Sequence, residues 1–262
     1  MENLRRSPLV NLDALAVIAQ ENAAQAASRV FTTKRPGLKS VLTDSPSLPQ
    51  GALFLGLAED GLPVLLNLED PVPGPLLILA DPASGKTGFL QMIARALEAT
   101  HDPSLVQGGV ITPRPEEWNN FESSASLIGV YSVKDQTARE LLQSLTDWAH
   151  NNKDSRQTLL LFIDDLEEAV CLGDEAGQFL RWLLLRGPSR RVWCIATLNA
   201  NRASGMEAWL EFFRTRLFGR IEDRRAALFV SGESGKAFER LAVSQFTMRE
   251  GGGWLDFWSP SI

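Results

Sequence analysis

The sequence predicts an α/β protein: a mostly parallel central sheet flanked by helices and preceded by a β-hairpin. Three observations predict it. Short unbroken apolar runs, PLLILA (75–80), TLLLFID (158–164) and RVWCIAT (191–197), suit strands buried on both faces. Helical periodicities at about 86–98, 135–151 and 175–186 separate them, and such alternation is the pattern of a parallel sheet. The first run passes through ADPASGKT (80–87) directly into a helix, a strand–loop–helix junction rich in small residues. The 262 residues, 44% hydrophobic and 22% charged, suffice for one large domain with a small appendage.

In chain order, residues 11–31 are Ala-rich with apolar positions at helical spacing behind Asn11 as N-cap, which predicts a helix. Residues 32–50 hold three prolines and several Ser/Thr and read as a linker or extended arm. A boundary near Gly51 divides an N-terminal helix and docking arm (1–50) from the main domain (51–262). ALFLGL (52–57) and PVLLNL (63–68) flank an Asp60–Gly61 turn and form the hairpin. After the first central strand and its helix come strands at GGVITP (108–113) and SLIGVYS (126–132). Beyond the run at 191–197, a helix is expected at Met206–Phe213, a strand at RLFGRI (216–221), two short helices, and a last strand pair (243–248, 254–258) joined through Gly251–Gly253.

The junction at 80–87 carries the chemistry. In a phosphate loop, backbone N–H groups of the loop and of the helix N-terminus surround phosphate oxygens. Asp81, Pro82, Ala83, Ser84, Gly85, Lys86, Thr87 and Gly88 are the candidate nucleotide-binding residues. Gly85 lets the backbone approach, the Lys86 ammonium reaches the β- and γ-phosphates, and the Thr87 hydroxyl can ligate magnesium. A carboxylate at the end of a strand beside such a loop belongs on the same metal, which assigns Asp164. Asp165 follows, where an acid can polarise an attacking water. Its alternative is to start a helix together with Glu167 and Glu168, either of which can also stand in as base. VWCIATLN (192–199) ends in Thr197 and Asn199, placed either to orient water at the γ-phosphate or merely to make a turn. The implied cofactors are ATP and Mg2+.

The net charge of −6 disfavours general binding to nucleic acid or anionic membrane. Residues 181–225 nevertheless carry ten Arg, no Lys and four acids, a local charge of +6. That sector can meet double-stranded DNA or a protein partner, or it is a solvated face. Its arginines include candidates for a finger acting on a neighbour's nucleotide, with Arg216 and Arg220 favoured at strand edges. Two cysteines and two histidines, in neither CxxC nor HxxxH spacing, exclude a structural zinc site and fit a cytoplasmic protein. No apolar run has the length of a membrane span. SGESGKAF (231–238) contains Gly-Lys but is too short for a second phosphate loop.

The order of these segments resembles the FtsK/HerA family of ring-forming, DNA-pumping ATPases over residues 52–258. The resemblance is carried by LGLAEDGLPVLLNL (55–68) before LLILADPASGKT, by IDD (163–165), ATLN (196–199), FRTRLFGRIEDRRAALF (213–229) and REGGGWLDF (249–257). It implies a RecA-like core, a hexameric ring with sites completed between subunits, and an ATP-driven motor acting on DNA or on a partner. Ala80 at the first loop position, Asp165 for the usual Glu and Leu198 for the usual Gln support a second reading, a slow nucleotide-dependent switch that orders an assembly. A small-molecule kinase is disfavoured by the long separation between Lys86 and Asp164 and by the absence of an Arg-rich lid.

Overall fold

The computed structural model describes residues 36–44, 48–49, 51–152 and 155–262. In chain order these form α1 (Leu38–Asp44), the hairpin β1 (Ala52–Ala58) and β2 (Pro63–Asn67), β3 (Leu76–Ala80), α2 (Lys86–Thr100), β4 (Val106–Thr112), β5 (Leu127–Ser132) and α3 (Gln136–Asn151). There follow β6 (Thr158–Ile163), α4 (Leu166–Val170), α5 (Asp174–Arg186), β7 (Val192–Asn199), α6 (Glu207–Leu210), β8 (Thr215–Phe218), α7 (Arg224–Ser231), β9 (Gln245–Glu250) and β10 (Gly253–Trp258). The helix expected over 11–31 lies outside the described residues.

All the strands share one sheet, in the order β2-β1-β10-β9-β8-β3-β7-β6-β4-β5. From β8 to β5 the pairings are parallel; from β2 to β8 they are antiparallel. The unbroken apolar runs follow from burial on both faces. Leu77 and Leu79 of β3, Leu159, Leu161 and Ile163 of β6, and Cys194, Ala196 and Leu198 of β7 point into one core beneath α3 and α5. Their neighbours Leu76, Ile78, Leu160, Phe162, Trp193 and Ile195 point into the other, beneath α2. Successive strand residues face opposite ways, so a strand covered on both sides must be apolar throughout.

Two expectations change. Residues 38–44, read as part of a linker or arm, form a helix whose Leu38 and Val41 are buried in the α2-side core. The Leu38 N–H also donates to Ser261 O at 2.8 Å, so local proline content is overridden by tertiary packing. The helix expected over Met206–Phe213 is reduced to Glu207–Leu210. The hairpin joins the main sheet: β1 pairs with β10, with Leu57 opposite Trp258. Gly56 sits at this junction with φ 155°, where a Cβ would lie 2.5 Å from the Trp258 carbonyl oxygen. Only glycine admits so close a backbone approach.

Candidate nucleotide-binding site

The parallel strands end together on one edge of the sheet, and the candidate residues meet there. β3 stops at Ala80, and the loop turns through Ala83 (φ 58°) and Gly85 (φ 93°) into α2. The first helical hydrogen bond across this junction runs from Phe89 N to Gly85 O, 2.9 Å. The N–H groups of Lys86, Thr87 and Gly88 therefore lie in the first turn, where no intrahelical acceptor exists, and are free for an anion. A later part of the chain braces the loop. Asp81 N donates to Arg220 O (2.8 Å), Ser84 Oγ donates to the same carbonyl (3.3 Å), and Ser244 N donates to Ser84 O (3.3 Å). The Asp81 carboxylate accepts from Glu222 N at 2.7 Å. Asp81 and the Ser84 hydroxyl thus hold the loop's shape and are not free donors.

Lys86 is folded back over the loop. Its ammonium donates to Ala80 O (3.0 Å), Asp81 O (2.8 Å) and Asn199 Oδ1 (2.8 Å). Burial lowers it from the ordinary lysine range to about 8, against the pull of Asp165, Asp164 and Asp81. Thr87 Oγ1 lies 3.0 and 3.1 Å from the two Asp164 oxygens. Asp164 is 2% exposed, and Thr112 and Thr197 hydroxyls approach it at 3.4 and 3.3 Å. Burial raises its carboxyl above the usual carboxylate range, opposed by the Thr87 hydroxyl, Arg114 and Thr197. The Trp118 indole N–H is buried and meets no acceptor at hydrogen-bonding distance.

This donor set suits magnesium. A hydroxyl and a carboxylate, hard oxygens already in contact, face amides able to take phosphate, and Mg2+ is commonly held by one or two protein oxygens plus phosphates and water. Thr87 and Asp164 would hold the ion. Among the described residues no cluster of three or more His, Cys, Asp or Glu offers another metal site.

Asp165 occupies a left-handed backbone position, φ 88° and ψ 93°. A non-glycine residue held there stores strain of about 1–3 kcal/mol, which persists where surrounding contacts fix it. Its N–H donates to Thr197 Oγ1 (2.9 Å), and its Oδ1 accepts from Glu167 N (3.1 Å), capping α4. Glu167 faces Arg202 at 3.7 Å.

No protein-family model matches the chain, and no curated protein matches it in sequence. Solved structures do. EccC of Thermomonospora curvata (ATPases 2 and 3, with a signal sequence peptide) superposes with a TM-score of 0.69 at 15% identity, covering 89% of this chain and 44% of that one. EssC (ATPases 2 and 3) of Geobacillus thermodenitrificans gives 0.67 at 12%, covering 83% and 46%. The pCW3 conjugation coupling protein TcpA, in a monomer form with ATPγS, gives 0.65 at 16%, covering 83% and 68%. The fold is that of the FtsK/HerA-type P-loop ATPases. The chain spans less than half the length of the EccC and EssC chains.

Within this P-loop ATPase fold, the sheet edge brings together Lys86, Thr87, Asp164, Asp165, Thr197 and Asn199. Two favoured arginines behave differently. Arg216 is engaged within its own chain: its guanidinium donates to the carbonyls of Phe213 (3.1 Å), Leu210 (2.8 Å) and Val230 (3.0 Å), tying β8 to the segments on either side. Arg220 pairs with Glu222 at 2.6 Å, and its carbonyl braces the P-loop. Sequence reasoning passed over Thr112, Arg114 and Trp118. All three stand at or just after the end of β4, and ligands of open α/β sheets gather outside the carboxyl ends of the strands, so that strand end was the available signal.

Proposed function

We propose that the chain binds Mg-ATP at the head of α2 and hydrolyses it as a subunit of a cytoplasmic ring motor. The observation that carries this reading is the contact of the Thr87 hydroxyl with the Asp164 carboxylate at 3.0 Å, beside the inward-folded Lys86. The free amides of Lys86, Thr87 and Gly88 grip the phosphates. The Lys86 ammonium neutralises the β- and γ-oxygens, and Thr87 with Asp164 hold the magnesium ion, which supplies charge stabilisation to the phosphoryl group when bound. Asp165, fixed through Thr197, orients the attacking water. An arginine of the 181–225 sector other than Arg216 completes a neighbour's site in a hexamer. The ring acts on double-stranded DNA or remodels a protein partner. TcpA with bound ATPγS, a conjugation coupling protein of the same fold, supports the nucleotide.

A specific observation favours a second reading, a slow nucleotide-dependent switch. One oxygen of the Asp165 carboxylate caps α4, and the side chain is one methylene shorter than the Glu usual at this position. ATP turnover measured with and without double-stranded DNA, together with particle mass by light scattering, separates the two. Turnover by a hexamer that rises with DNA is the result expected of the motor; tight ATP binding without turnover or stimulation favours the switch. Lys86→Ala binding ATP as tightly as the wild type would overturn the site assignment itself.

A further inference from the structure

Arg114 has no part in the mechanism above, yet it stands over the metal site. It follows the end of β4, and its backbone is fixed: its N–H donates to Thr112 Oγ1 (3.1 Å) and its carbonyl accepts from Glu117 N (3.1 Å). The side chain is 52% exposed. Its Nη1 lies 3.0 Å from Glu117 Oε1, and its Nη2 lies 3.5 Å from Thr87 Oγ1. One arm of the guanidinium is therefore held by an exposed carboxylate, and the other hangs over the hydroxyl expected to ligate magnesium.

The distances suit a phosphate. Oxygen ligands at about 2.1 Å on adjacent corners of an octahedral Mg2+ lie about 3 Å apart. A phosphate oxygen sharing the ion with Thr87 Oγ1, on the corner that faces Arg114, would fall within hydrogen-bonding reach of Nη2. An exposed Arg–Glu pair is worth only about 0–1 kcal/mol and is readily exchanged. A guanidinium matches a phosphate's geometry with two parallel N–H donors, a stronger arrangement.

We propose that Arg114 is a γ-phosphate clamp supplied by the nucleotide-binding subunit itself: on triphosphate binding the guanidinium leaves Glu117 and grips the terminal phosphate, so the site distinguishes ATP from ADP. The proposal rests on the ATP reading above and deepens it. No covalent change is involved; one ion pair is exchanged for another.

The test is a comparison of Mg-ATPγS and Mg-ADP affinities, by titration calorimetry, for the wild type, Arg114→Gln and Arg114→Lys. The expected result is a loss of at least tenfold on ATPγS for Arg114→Gln, with ADP affinity held within twofold. Arg114→Lys, which keeps the charge and loses the fork, falls between. Retained ADP binding reports that the variants are folded. An equal loss on both nucleotides, or no loss on either, overturns the clamp. A wild type that binds neither nucleotide overturns the ATP reading, an outcome separate from failure of the clamp alone.

Discussion

Lys86 yields the sharpest quantitative prediction. Burial sets its ammonium at about 8 in the nucleotide-free protein, against 10.5 for an unperturbed lysine. Triphosphate binding requires the charged form. If the complex holds that proton throughout, affinity falls with the charged fraction of the free protein: about a tenth of the sites are neutral at pH 7 and about ten in eleven at pH 9. Mg-ATPγS affinity should therefore weaken roughly tenfold over that range, about 1.4 kcal/mol. Calorimetry in buffers of different ionisation enthalpy should detect nearly one proton taken up per site at pH 9 and almost none at pH 7. Stability should move in the opposite direction. Between 8 and 10.5 the unfolded chain binds the Lys86 proton and the folded chain does not, so unfolding free energy rises with pH through that window. Below 8 the lysine is charged in both states and its burial cost is carried in full. Relative to Lys86→Met, nucleotide-free wild type should gain about 1.3 kcal/mol in urea denaturation between pH 7 and 9. Affinity that stays flat from pH 7 to 9, with no proton uptake, would refute the reasoning.

Two further substitutions probe the site's surroundings. Asp164 has its carboxyl raised by burial, so ionising it costs folded-state stability once pH exceeds the ordinary carboxylate range. Asp164→Asn should melt higher than the wild type at pH 7 without nucleotide, while losing the Mg2+-dependent gain in ATPγS affinity by about tenfold or more. A melting temperature below that of the wild type would contradict this. Arg216→Ala abandons three carbonyls and should destabilise the domain by about 2–3 kcal/mol in urea, without changing the nucleotide affinity of the folded fraction. A variant as stable as the wild type but devoid of turnover would return Arg216 to a finger's role.

The parallel half of the sheet was legible because burial on both faces leaves a local mark: every residue of β3 and β6 is buried. The P-loop and the Asp164–Asp165 pair were legible for a related reason, since each follows directly on such a strand. What escaped depends on partners far along the chain. Nothing local to Arg216 announces the carbonyls of Leu210 and Val230, and its setting at a strand edge suits a finger equally well. The helix at 38–44 lies among prolines and takes its stability from the α2-side core and from Ser261. The position of β9 and β10 between β1 and β8 is likewise a matter of long-range pairing that no window of sequence displays. Arg114 reads as an ordinary charge in a proline-rich turn until Thr87, 27 positions earlier, is brought beneath it.

The pairing of β1 with β10 has a consequence for synthesis. The P-loop emerges early, yet the groups that shape it arrive late, on Arg220, Glu222 and Ser244, and the hairpin's open edge waits for residues 253–258. Because a nascent chain lengthens by only about 5–20 residues per second, the first central strands must wait on the order of ten seconds for the antiparallel half to arrive. The contacts that brace the loop are therefore complete only once Ser244 has been made, and the pairing of the hairpin only once Trp258 has. A chain ending before Arg220 would carry the loop's sequence without the contacts from Arg220, Glu222 and Ser244 that hold its shape.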